Sequence, residues 1–95
     1  MILMLDDVQL ADEKVFFPYV SNAFGMATDR ITTLDKLYDV VSEYDDELDV
    51  MIHDLNDVPE EGKKFARAAA NIFMDARMTN KKMKVTFMSA GKETV

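Results

Sequence analysis

Between Thr33 and Val58 the chain alternates apolar and polar positions with its clearest period. Leu34, Leu37, Tyr38 and Val41 recur at helical spacing, and the series runs on through Tyr44, Leu48, Met51, Ile52, Leu55 and Val58. Positions 34, 41, 48 and 55 are all apolar, as are 37, 44, 51 and 58. Taken alone, this is an amphipathic helix of several heptads. Two considerations oppose one continuous helix. Twenty-five helical residues span roughly 37 Å. A compact domain of this size is roughly 32 Å across. In addition, Tyr44-Asp-Asp-Glu-Leu-Asp crowds like charges, and aspartate is a poor helix former. The favoured reading is a helix over 33–44, opened by a Thr32/Asp35 capping box, then an exposed acidic turn, then a strand over 48–55. The alternative extends the helix to 57.

A second helix is expected over 58–78. Asp57 and Glu60 supply an Asp-x-x-Glu cap, and Pro59 fits the first turn. Glu60 and Glu61 at its start and Arg77, Lys81 and Lys82 at its end suit the macrodipole. Phe65, Ala69, Ile72, Phe73 and Ala76 form its buried face, kept slim by Ala66, Ala68 and Ala70. Asn80 is read as a left-handed C-terminal residue. Met83, Val85 and Phe87 then alternate with Lys84 and Thr86, as in a half-exposed strand.

The first thirty residues carry weaker signals. Met1–Leu5 is an apolar run of strand length that could also open a helix. Val15-Phe-Phe-Pro-Tyr-Val is β-branched and aromatic and reads as a strand that Pro18 requires to lie at an edge or to carry a bulge. Residues 21–29 read as a loop or a short helical turn, and residues 89–95 as a fraying tail. The fold class predicted is α+β: one domain over 1–95, in two layers. A mixed sheet of N-terminal and C-terminal strands, with 48–55 added in the split reading, packs against the two helices.

Charge sharpens this picture. The net charge of −7 conceals a split: residues 1–57 hold 14 acids against three bases, and residues 58–95 hold four acids against eight bases. Such polarity can be neutralised within the fold, can drive head-to-tail association, or can capture a charged partner. The sequence contains no cysteine, so neither a disulfide framework nor a thiolate metal site is expected. Met1–Leu5 lacks a basic flank and is too short for a signal peptide, and no apolar run approaches membrane-spanning length. A cytoplasmic location is the expectation.

Motifs for chemistry fail on their spacing. Ala90-Gly-Lys-Glu-Thr lacks the glycine and the hydroxyl residue of a phosphate-binding loop. A calcium loop from Asp45 would need glycine and glutamate where Val50 and Asn56 stand. Asp49, His53 and Asp57 would share a stripe only on a continuous helix, and a lone histidine there is more often solvated than metal-bound. Ser21, Ser42 and Ser89 lie on no nucleophile elbow. Arg77, Lys81, Lys82 and Lys84 make a thin phosphate footprint beside an acidic excess. The run from Met51 to Pro59, followed by a helix and a strand, is loosely similar to the middle of STAS domains. The phosphorylatable serine of that family would fall at Glu60, Glu61, Gly62 or Lys63, so its switch does not carry over.

No catalytic, cofactor or metal residue is therefore assigned. The expectation is a small acidic regulator, not an enzyme, that binds a basic protein partner and neither nucleic acid nor membrane directly. It would act as an inhibitor or adaptor, with nucleic-acid mimicry as its sharper form. Asp35, Asp39, Glu43, Asp45, Asp46, Glu47, Asp49 and Asp54 are the candidate contact acids, with Phe17 and Tyr19 as aromatic anchors. The aromatic segment 15–24 is also read as core. The alternative function is a self-assembling subunit, a homo-oligomer built on the acidic/basic polarity.

Overall fold

The first strand, β1 (Ile2–Leu5), buries Leu3 and Leu5 and exposes Ile2 and Met4, the alternation expected of a sheet with one covered face. The structure is a computed structural model and describes residues 1–88; the expected tail 89–95 lies outside the described residues. From β1 the chain runs through α1 (Asp7–Ala11), α2 (Glu13–Ala23) and α3 (Leu34–Ser42) before forming β2 (Leu48–Ile52). Two 3-10 turns, Leu55–Asp57 and Glu60–Gly62, lead into α4 (Lys63–Thr79), and β3 (Met83–Phe87) closes the fold. The result is a small α+β domain with a three-stranded sheet in the order β1-β2-β3. The long periodic segment does split into helix, acidic turn and strand, with the strand ending at Ile52.

The sheet is parallel throughout rather than mixed. Every link between strands is a helical crossover, and a crossover returns the chain in the same direction, whereas a hairpin would reverse it. Leu3, Leu5, Leu48, Val50, Ile52 and Met83 point into a core that includes Phe16, Leu37, Val41 and Phe73. Buried Ala66, Ala69, Ala70 and Ala76 let α4 lie close to this layer. The opposite face of the sheet carries Ile2, Asp49 and Lys84 in one row and Met4, Met51 and Thr86 in the next. Ile2 and Met4 are 64% and 50% exposed, so among the described residues this face has no covering layer.

Residues 15–20 are helical, which corrects the strand expected there, and among the described residues four α-helices replace the two expected. Asp12 caps α2 by accepting the Lys14 N–H at 2.9 Å, and Phe16, Phe17 and Val20 fall on one buried helical face. That burial overrides the β-propensity of the segment. Pro18 lies inside the helix and cannot donate to the carbonyl of Lys14, a residue exposed to water. The helix α1 is set by a full capping box: Asp6 accepts from Gln9 N–H and Gln9 accepts from Asp6 N–H, both at 3.0 Å.

The start of α4 also differs from expectation. Asp57 lies in the first 3-10 turn, capped by Asp54, and turns its carboxylate to His53 Nε2 at 2.8 Å instead of capping α4. Helical geometry begins only after Gly62. Its Cα passes so close to α1 that an added Cβ would lie 2.5 Å from the Ala11 carbonyl oxygen. At the other end, Asn80 is extended (φ −98°, ψ 105°), not left-handed. Its side chain is committed elsewhere, as described next.

Candidate partner-binding face

The helix α3 starts one residue later than the expected cap: Thr33 Oγ1 accepts the Lys36 N–H at 3.1 Å. Leu37 and Val41 face the core, and Tyr38 reaches the Thr79 hydroxyl at 3.3 Å. Burying that face leaves Asp35, Asp39 and Glu43 exposed, four residues apart, in a single row along the outside. The row runs into a corner at Asp45, Asp46 and Glu47, all exposed. Among the described residues, none of these six carboxylates forms an ion pair. Lys81, Lys82 and Lys84 of the basic C-terminal third line a cleft with Glu47 and Asp49, so they sit near one end of the acidic face without pairing directly with its carboxylates.

The corner is held through its backbone, which leaves its carboxylates outward. The Asn80 amide donates to the carbonyls of Val41 (2.9 Å) and Tyr44 (3.1 Å), and its oxygen accepts the Lys82 N–H at 3.0 Å. Lys82 Nζ donates to the Asp45 carbonyl at 3.0 Å, and the amino group of Met1 donates to the Glu47 carbonyl at 2.8 Å. Asp46 accepts the N–H of Glu47 at 2.8 Å. Asn80 thus supplies a donor to the Tyr44 carbonyl just past the end of α3 and a second, shorter bond to the Val41 carbonyl, which also accepts the Tyr44 N–H at 3.4 Å.

Beside the corner lies a groove of about 600 Å³. Phe24 and Tyr44 line it in edge-to-face contact with each other, with centroids 5.4 Å apart, and half-buried Met26 and Val40 continue the apolar floor. Glu43, Asp45 and Asp46 line its rim. Gly25, at φ 74°, makes the turn that brings Met26 round after α2. Farther along the same connection, Ser21 Oγ accepts the buried Ile31 N–H at 2.9 Å.

The remaining candidates lie elsewhere. Asp49 stands on the open face of the sheet between Ile2 and Lys84. Asp54 follows the far end of β2, where it caps its own turn. Phe17 is buried against Phe16 and Phe65 in edge-to-face contacts. Tyr19 donates its hydroxyl to the Met4 carbonyl at 2.6 Å, covering part of the β1 edge. Asp49, His53 and Asp57 do not share a helical stripe, because Asp49 is in β2 and Asp57 in a 3-10 turn. Among the described residues no cluster of three or more His, Cys, Asp or Glu is placed to hold a metal ion. No described helix is long and apolar enough to cross a membrane.

Sequence reasoning missed two parts of this site. The sequence marks Asn80 only as a C-terminal backbone residue of α4, and nothing local points to it as the tether of a corner some 40 positions away. The groove was missed because Phe24 and Met26 belong to a segment read as a loop. No family model matches the chain, and no match to it was found among curated proteins.

Proposed function

We propose that this protein is a small non-enzymatic regulator that acts by binding a basic protein, with the carboxylates of α3 and its following corner as the contact. The observation that carries this reading is the row Asp35, Asp39, Glu43, extended by Asp45, Asp46 and Glu47, with no ion pair among the described residues. Along α3 the row places a carboxylate about every 6 Å. A nucleic-acid strand carries a phosphate about every 3.4 Å of axis. The two linear charge densities are of the same order, which favours a nucleic-acid-handling partner whose phosphate groove the helix would occupy. The protein then acts as an inhibitor by mimicry, steered to its target by charge. A cytoplasmic setting goes with this reading, since a chain without cysteine has no need of an oxidising one.

The test is capture of basic nucleic-acid-binding proteins on the immobilised chain at low ionic strength. Bound protein is expected to elute with added salt or with a single-stranded oligonucleotide. The triple variant D35N/D39N/E43Q, altered only at exposed positions, is expected to lose the capture. Retention by that variant, or capture indifferent to salt, refutes the proposal.

A second reading, self-association, is favoured by the face of the sheet that is left open among the described residues. Parallel sheets are ordinarily covered on both faces, yet Ile2 and Met4 are exposed here. Light scattering at low and high salt separates the two: a monomer in both conditions removes the second reading.

A further inference from the structure

We propose that the groove lined by Phe24 and Tyr44 receives an arginine side chain of a protein partner. This rests on the basic-partner reading and narrows it to one side-chain chemistry at one place. The groove has two zones. Its floor is apolar and aromatic, formed by Phe24, Met26, Val40 and Tyr44. Its rim is anionic, formed by Glu43, Asp45 and Asp46, none ion-paired among the described residues. Lys82 sits on the Asp45 carbonyl and offsets one of these charges, so the rim keeps a negative excess.

An arginine satisfies both zones. Its aliphatic stem covers apolar floor, and its guanidinium stacks on an aromatic ring while bonding carboxylates in a fork. A purely apolar side chain would desolvate the rim without pairing it. An anion would be repelled. A bare metal ion would use the rim and leave the floor uncovered. Lysine would match the charge, but its ammonium is more strongly hydrated and does not stack as a plane. The site is also pre-shaped: Asn80 and Lys82 fix the carbonyls of Tyr44 and Asp45, and the Phe24–Tyr44 contact fixes the floor. Little ordering is left for the moment of binding.

The experiment is a nuclear magnetic resonance titration of the full chain with three blocked tripeptides, acetyl-Ala-X-Ala-amide, in which X is arginine, lysine or glutamate. The arginine peptide is expected to move the amides of Phe24, Met26, Val40 and Tyr44 saturably. Aromatic stacking is expected to make it bind about two- to fivefold more tightly than the lysine peptide. The variant E43Q/D45N/D46N, changed only at exposed side chains, is expected to weaken the arginine peptide about tenfold while the rest of the spectrum is kept. No saturable shift in the groove, equal binding of lysine and arginine, or shifts confined to Asp35 and Asp39 overturns the assignment. The probe is a free peptide, so the two proposals fail separately. A chain that takes the peptide yet captures no basic protein loses only the regulator reading, and the reverse pattern removes only the groove.

Discussion

Replacing Asn80 by alanine tests how the acidic corner is held in place. The side chain is 7% exposed and makes three hydrogen bonds, two to carbonyls and one from the Lys82 N–H. Each such bond contributes about 0.5–1.5 kcal/mol net, and a buried acceptor left without a partner adds its desolvation cost. The expected loss is therefore about 2–4 kcal/mol for N80A. For a domain of this length that corresponds to a fall in Tm of about 10–25 °C. N80D is the more pointed variant because its shape is unchanged. Its carboxylate keeps the Lys82 N–H but turns an oxygen toward the carbonyls of Val41 and Tyr44, so it should cost at least as much as N80A. Urea unfolding followed by circular dichroism measures both, with the midpoint falling and the slope constant. Amide spectra of residues 43–47 should change more than those of α2. An N80A protein within about 0.5 kcal/mol of the parent, the range of an unremarkable surface substitution, would refute the tether.

Four further substitutions probe the local geometry. G62A should destabilise by about 1–3 kcal/mol, because the new Cβ meets the Ala11 backbone at 2.5 Å and one of the two segments must move. G25A meets nothing within 4 Å and should cost only its positive φ, about 1–2 kcal/mol; a G62A protein that melts at or above the parent would mean that the close approach of Gly62 to α1 is wrong. S21A leaves the buried Ile31 N–H without its acceptor and should cost about 1–3 kcal/mol, with faster hydrogen exchange at Ile31 as its local signature. P18A restores a donor to the Lys14 carbonyl and should stabilise α2 by about 1 kcal/mol or more; a lower urea midpoint would mean the ring's packing outweighs the lost bond.

What was legible in the sequence follows from which forces were local. The helix of Leu34–Ser42, the turn after it and the strand of Leu48–Ile52 were readable because periodicity, charge crowding and length pointed the same way. The α4 and β3 segments were readable for the same reason, although the α4 start was displaced by five residues because Asp57 is taken by His53. Residues 15–20 misled because their intrinsic preference is extended, while the burial that makes them helical comes from partners such as Phe65, far along the chain. In the candidate site, the carboxylates of α3 and its corner could be named from charge density alone. Their separation from Asp49, Asp54, Phe17 and Tyr19 could not, since it depends on which way β2 leaves the corner. Asn80 and the groove were invisible because each is defined by residues distant in sequence.

The parallel sheet has a kinetic consequence. Its central strand finds its neighbours far away along the chain: Asp49 stands opposite Ile2 on one side and Lys84 on the other. No two strands can nucleate as a hairpin, because every pairing must wait for a crossover of three helices or one. Closing such long loops costs entropy before any ladder bond rewards it, so folding should be slower than in a helical bundle of equal length. The helices would then have to act as the template on which the sheet is completed. Until that step, β1 would be an apolar segment with unpaired edges, and this interval is when the chain is most exposed to pairing with the wrong strand.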